Sequence, residues 1–193
     1  MLLAHPSGNQ FFRHLAAALR DAGLLQHAFT CIDWRGGLGI GRFLPAGVRA
    51  ELARRSFSRD LAIPVVRHAW REAARLTADR LGMRRLTRHE VGPFSVDAVY
   101  RDFDRWVARR VERAGPDSIA YAYEDAAAEI FAAVKRCGAR CVYDLPIAYW
   151  QTSRRLLDEE AVRWPEWEPT LIGTRDSPEK LERKSRELAA ADL

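Results

Sequence analysis

Cysteine is scarce and long apolar runs are missing, and these two absences narrow the class of protein before any motif is considered. Three cysteines occur in 193 residues, Cys31, Cys137 and Cys141, an odd number in a chain whose first residues carry no charged stretch followed by a long apolar one. A disulfide framework is disfavoured, and so is secretion. Zinc spacing is not met either. Cys137 falls at a predicted helix end, Cys141 in the following strand, and no histidine lies near them in sequence, so all three read as plain buried thiols and no metal is expected. No apolar stretch approaches the roughly 18 residues of a membrane-spanning helix, which points to a cytoplasmic location. Gly-Lys-Ser and Gly-Lys-Thr are absent, so there is no P-loop. In "RGGLGIG", Arg35 to Gly41, the glycines alternate, the third glycine of a GxGxxG would have to stand at Arg42, and no helix opens directly behind. A dinucleotide fingerprint is therefore disfavoured too.

What is present is ordinary for a single globular unit: 48% hydrophobic residues, 30% charged, and a length sufficient for one sizeable core. The charge is basic, 31 Lys and Arg against 26 Asp and Glu, or +5, with a pI near 9.4. That balance permits phosphates, nucleotides or acidic lipid surfaces without choosing among them. Most of it is local. Between Pro64 and Glu90 stand Arg67, Arg71, Arg75, Arg80, Arg84, Arg85 and Arg88 against Glu72, Asp79 and Glu90, so seven less three places +4 of the +5 there. This is either a solvated face on an inserted helical pair or an interfacial segment resting on anionic membrane, where arginine and tryptophan suit the headgroup boundary. Nucleic acid is the least favoured occupant, and no nucleic-acid partner is expected.

The chain opens "HPSGNQFFRHLAAALRDAG", residues 5 to 23, behind a short apolar piece, Met1 to Ala4. Phe11, Leu15, Ala18, Leu19 and Ala22 have the three-and-four spacing of a buried helical stripe, and Gly23 supplies a stop. The order is strand, turn, helix. His27 to Trp34 reads as a second strand. Residues 46 to 114 read mostly as helix, one opening at Pro64 with Val66, Trp70, Ala73 and Leu81 as a ragged stripe, another over Val96 to Ala114 with Val96, Tyr100, Phe103, Trp106, Val107 and Val111 inward. Regular alternation then returns: strand Ser118 to Glu124, helix Asp125 to Cys137 ended by Gly138, and strand Ala139 to Pro146. Strand, helix, strand at this spacing implies a parallel pair with a right-handed crossover.

The fold class expected is therefore α/β, a Rossmann-like parallel sheet with flanking helices and a helical insertion. The residues following each strand should share one rim, where open α/β sheets bind ligands: His5 to Asn9, Trp34 to Gly41, Glu124 with Asp125, and Asp144 to Trp150. No triad is recognisable among them. Asp125 reads equally as the N-cap of its helix and Asp144 as a turn former before Leu145-Pro146. Gly8, Asn9 and Gln10 read either as a backbone and side-chain cradle at the positive end of a helix dipole or as a tight turn capped by Ser7 or Asn9. His5 either orients a hydroxyl and takes its proton or serves the turn.

Four segments, "HPSGNQFFRHLAAAL", "YAYEDAAAEIFAAVKRCGARCVYDLPIAYW", "LLDEEAVRWPEWEPTL" and "EKLERKSRELAAADL", occur in an order that resembles the N-terminal half of a bacterial family 4 glycosyltransferase of the GT-B type. The resemblance extends from His5 to Leu193. It implies that residues 1–193 form the acceptor-side Rossmann-like domain, the donor-side C-terminal domain not being included, so that the chain is a fragment whose last helix, Pro178 to Ala191, lacks the strand it would feed. It implies a sugar transferred with retention from a nucleotide-diphosphate sugar to an acceptor, with no bound metal or other cofactor; for the cytoplasmic location read above, a peripheral place at the inner membrane face stays open with the lipid reading of the arginine-rich stretch. His5 and Asp144 are the catalytic candidates it points to, and Gly8, Asn9, Gln10, Glu124 and Tyr149 the substrate-binding ones. Where many related transferases carry a histidine after a later strand, "YDLPIAYW" has Asp144 and Tyr149. Two other readings stay open: a nucleotide-dependent α/β enzyme of another type, and an α/β binding module without chemistry.

Overall fold

A computed structural model of the chain describes residues 1–34, 45–57, 62–171 and 175–193. "RGGLGIG" lies outside the described residues. Five short strands build the sheet: β1 (Leu2–Ala4), β2 (His27–Thr30), β3 (Val65–Arg67), β4 (Ile119–Tyr123) and β5 (Arg140–Asp144). Every pairing is parallel and the order is β3-β2-β1-β4-β5. The chain runs outward from β1 through β2 to β3, then returns to the other side of β1 as β4. The point where the order reverses lies between β1 and β4, which is where the loops diverge and leave a crevice. The Rossmann-like α/β class read from the sequence is thus the architecture observed.

Among the described residues eight helices accompany the strands: α1 (Gln10–Asp21), α2 (Ala46–Arg54), α3 (Trp70–Arg80), α4 (Arg84–Thr87), α5 (Val96–Val111), α6 (Ala128–Arg136), α7 (Trp150–Arg163) and α8 (Pro178–Ala190). A 3-10 helix follows α7 at Pro165–Thr170. Period-2 alternation along β4 decides how they pack. Ala120 and Ala122 face α5 and α6, and their small side chains let those helices approach closely enough for Val99, Phe103, Val107, Phe131 and Val134 to interlock. Tyr121 and Tyr123 face the other way, toward a second cluster of Leu3, Phe12, Ala16, Ala28, Phe57 and Ile63 under α1.

Three expectations are corrected. Pro64 does not open a helix. Its carbonyl accepts from Ala28 N, and Val65–Arg67 extends as the edge strand β3, because two adjacent β-branched residues after a proline favour extended backbone. The residues placed in one helical insertion are therefore split by a strand, with α2 before it and α3 to α5 after it, and Trp70 and Leu81 are exposed. The stripe of α1 is also rotated. Phe11 is 75% exposed while Phe12 is fully buried between Phe57 and the His5 ring, at 5.6 and 5.7 Å between centroids. Both phenylalanines satisfy the spacing, and the flanking aromatics select the second. On α5 likewise Val99 is buried and Val96 is not.

Gly8 and Gly23 both adopt left-handed backbone, φ +58° and +70°. They differ in surroundings: a Cβ on Gly8 would stand 2.9 Å from Thr30 Oγ1 and 3.4 Å from the Arg55 carbonyl, whereas one on Gly23 would meet nothing within 4 Å. Gly23→Ala should cost about 1–2 kcal/mol, the left-handed penalty alone. Gly8→Ala should cost about 1–2 kcal/mol more, because neither Thr30 nor the backbone of Arg55 yields without disturbing β2 or α2. Urea unfolding of the two variants checks the difference, and equal losses would contradict the contact.

Candidate functional site

The turn between β1 and α1 is organised by its first residue. His5 extends β1 by one step, its N–H donating to the Phe29 carbonyl at 3.1 Å, and its ring is 6% exposed. Nδ1 accepts from Ser7 N at 3.1 Å and Gly8 N at 3.2 Å, and Ser7 Oγ lies 3.2 Å away. Asn9 Nδ2 stands 3.2 Å from the other ring nitrogen, Nε2. Burial holds the imidazole down at about 4, against 6.5 ordinarily. Gly8 supplies the left-handed bend, and Asn9 caps α1 by accepting from Phe12 N at 2.8 Å. Gln10 is exposed at the first helical position.

Ser7 faces a cavity of about 80 Å³ lined by Arg55, Glu72, Arg75, Val99 and Tyr100. Glu72 is buried and held from two helices: its Oε1 accepts from Arg55 Nη1 at 2.6 Å and Arg75 Nη2 at 2.8 Å, its Oε2 from Arg75 Nε at 2.7 Å. Burial raises the Tyr100 phenol, a hydrogen bond with Ser7 pulls the other way, and the charges of Glu72 and Asp125 add to the rise.

At the end of β4 the structure corrects the reading of Asp125 as a helix cap. Its φ is +71°, α6 starts three residues later, and its carboxylate is turned to α8, 3.1 Å from Arg183 Nη2 with Lys180 and Lys184 at 3.8 and 3.7 Å. Two distant carboxylates cap α6 instead. Glu187 of α8 accepts from Asp125 N, Ala127 N and Ala128 N at 2.9, 3.2 and 3.3 Å and from Tyr143 Oη at 3.0 Å. Asp104 of α5 accepts from Glu129 N and Ile130 N, both at 2.9 Å. Burial pushes both carboxyls up, Asp104 to about 7, while the amide bonds oppose the shift.

The remaining sequence candidates fall into two groups. Asp144 lies on the α1 face of the sheet, accepting from Tyr121 Oη at 2.9 Å and hydrogen-bonded to Tyr123, whose ring sits 4.3 Å from His5. His5 and Asp144 are thereby joined through Tyr123. Burial pushes Tyr121 up to about 12. Glu124 and Tyr149 point to α8 instead: Glu124 Oε1 is 3.4 Å from Lys184 Nζ, and the Tyr149 hydroxyl is 2.8 Å from Ser185 Oγ. Burial raises the Glu124 carboxyl against the pull of Lys184.

The basic run of 64–90 is less uniform than its composition. Arg67 donates to the Asp33 carbonyl, Arg71 to that of Pro93, and Arg75 is tied to Glu72 and Asp79. Arg84, Arg85 and Arg88 are exposed beside Leu81 and Met83. His89, Glu90 and Asp176 bring an imidazole and two carboxylates within metal-binding reach of one another. Lys180 Nζ, 2.9 Å from Asp176 and 3.0 Å from Asp97, already supplies positive charge there. Cys31 and Cys141 are buried and Cys137 half-buried at the end of α6.

Glu72, Asp104 and Glu187 were not legible as site residues. Each sits in a charged helical stretch, and no spacing distinguishes an inward carboxylate from its solvated neighbours. A further pair, His68 at the end of β3 and Asp102 of α5, stands 2.8 Å apart with the His68 ring stacked on Trp106. Comparison with protein-family models, with curated proteins and with solved structures finds no match for the chain. Among the described residues no helix is long and apolar enough to cross a membrane.

The two perturbed groups predict opposing pH slopes. His5, depressed to about 4, contributes stability that is present above pH 6.5 and lost as pH falls toward 4, by up to about 1.4 kcal/mol per pH unit. Asp104, raised from 3.8 to about 7, contributes stability present below pH 3.8 and lost as pH rises through 7. His5→Gln removes only the first. Its stability relative to the parent chain should therefore improve by about 2 kcal/mol on going from pH 7 to pH 5 in urea unfolding. An unchanged difference would contradict the neutral, buried imidazole.

Proposed function

We propose that this chain is the acceptor-side lobe of a GT-B-type glycosyltransferase, receiving the hydroxyl to which a sugar is passed from a nucleotide-diphosphate donor. One observation carries the reading: the cavity at the end of β1, beside the reversal point of the sheet, presents alternating donors and acceptors suited to a hydroxylated ligand. Ser7 Oγ and the Tyr100 phenol each donate or accept. Glu72 accepts, and Arg55 and Arg75 only donate. A hydroxyl entering there meets both kinds of partner within one turn of chain and two helices.

In this reading His5 is a positioning residue, because its ring holds the Ser7 and Gly8 amides and so fixes where Ser7 stands. Gly8 and Asn9 shape the same turn, and exposed Gln10 stands at its rim. Asp144, on the α1 face of the sheet, accepts from Tyr121 and does not line the cavity. A second reading is favoured by the same imidazole. With Nδ1 engaged inside the turn and the basicity lowered by burial, the lobe binds a hydroxylated ligand without performing proton transfer.

The test takes this chain through a panel of free sugars by saturation-transfer NMR, then assays release of nucleoside diphosphate from nucleotide sugars, with any sugar that binds, by a protein in which this lobe is paired with a donor-side domain. The reading predicts binding that Tyr100→Phe and Ser7→Ala weaken by about tenfold, equivalent to about 1.4 kcal/mol, no release by this lobe alone, and acceptor-dependent release by the paired protein. Binding without release by the paired protein selects the binding lobe. Absence of binding by folded protein overturns both.

A further inference from the structure

On the side of the sheet covered by α5, α6 and α8 lies a groove that the crevice at β1 does not use. Ala128 and Ala132 of α6 make its floor, α5 forms one wall and α8 the other, and it encloses about 570 Å³. It runs into a second hollow of about 340 Å³ through shared Arg101, Glu179 and Arg183. Arginines look in from both walls, Arg101 and Arg105 from α5 and Arg183 and Arg186 from α8.

Arg183 is the group that needs an explanation. It is 9% exposed, its Nη2 donates to Asp125 at 3.1 Å, and its Nη1 is buried with no hydrogen-bond partner among the described residues. A buried guanidinium N–H without an acceptor is destabilising, and this one belongs to a side chain that lines both hollows. Arg101, Arg105 and Arg186 are exposed and make no hydrogen bond or ion pair among the described residues. Asp104, a buried carboxylate in the groove lining, is already engaged by two amides of α6.

We propose that this groove binds a phosphomonoester carried on a hydroxylated body, a sugar phosphate being the simplest case. Guanidinium groups approaching from two walls suit a tetrahedral dianion, which offers acceptor oxygens in several directions, better than a carboxylate, which one planar fork satisfies. Arg183, whose side chain lines both hollows, joins the exposed arginines around the ligand. The volume exceeds what a bare phosphate fills and falls in the range of small-molecule sites. Glu129 and Glu179 on the rim accept from hydroxyls of the body and repel a second anionic group. The inference does not rest on the transferase reading, since none of the groove's side chains lines the cavity beneath Ser7.

Isothermal titration of the whole chain at pH 7.5 and low salt, with glucose 6-phosphate, inorganic phosphate and glucose as probes, tests it. Saturable binding of glucose 6-phosphate at least tenfold tighter than phosphate, with none for glucose, is expected. Arg183→Met should abolish it. Because that change also breaks the Asp125 pair, the double variant Arg105→Gln, Arg186→Gln, altered only at exposed positions, provides the second measurement and should weaken binding at least tenfold. No saturable binding, or unchanged affinity in the double variant, overturns the site. Equal affinity for phosphate and glucose 6-phosphate overturns the hydroxylated body.

Discussion

The N-terminus of α6 is held by two buried carboxylates from other helices, and the packing of one whole side of the sheet depends on that arrangement. Glu187 is fully buried and reaches three backbone amides and the Tyr143 hydroxyl, while Asp104 takes the next two amides. Removing a carboxylate from water costs several kcal/mol. Hydrogen bonds to a charged acceptor contribute roughly 1.5–3 kcal/mol each, and the positive end of the helix dipole adds to them. Five such bonds at one helix end oppose the burial, which still raises both carboxyls. In doing so they fix α5 and α8 on either side of α6 and hold β5 through Tyr143.

This arrangement determines where ligands do not go. In open α/β sheets the first amides of the helix at the reversal point commonly receive an anion. Here the chain's own carboxylates receive those donors. The positions left for ligands lie to either side: the small cavity beneath the β1 turn, bounded by Ser7, Glu72 and Tyr100, and the arginine-lined groove behind α6. Glu187 also ties α8 to α6, and with it the placement of Lys180, Arg183 and Lys184 against Asp125, so the groove inherits its geometry from the helix cap.

Much of the fold was legible in the sequence because it depends on local rules. The βαβ unit of β4, α6 and β5 followed from alternation, helical spacing and the Gly138 stop; Asn9 and Gly23 bounded α1 by side-chain and left-handed caps. Two errors arose where a local rule was degenerate. Phe11 and Phe12 satisfy one spacing equally, and only Phe57 and His5, distant in sequence or on another element, choose between them. Pro64 suits both a helix start and the residue before an edge strand, and pairing with Ala28 decides. The site was less legible. The turn "HPSGN" was identifiable as a bend opening α1, and the structure shows it ordered around the His5 ring, which packs on Tyr123. Glu72, Asp104 and Glu187 were hidden, because a carboxylate in a charged helix shows nothing of its burial until its partners have been placed: the Arg55 guanidinium 17 residues from Glu72, and amides 25 to 62 residues from Asp104 and Glu187.

Amide hydrogen exchange at Ala127, Ala128, Glu129 and Ile130 tests the central claim most directly, since first-turn amides lack intrahelical partners and exchange rapidly unless something else binds them. These four should be protected to nearly the level of the α6 interior. Glu187→Gln should release Ala127 and Ala128, and Asp104→Asn should release Glu129 and Ile130. Rapid exchange of all four in the unaltered chain would contradict the account.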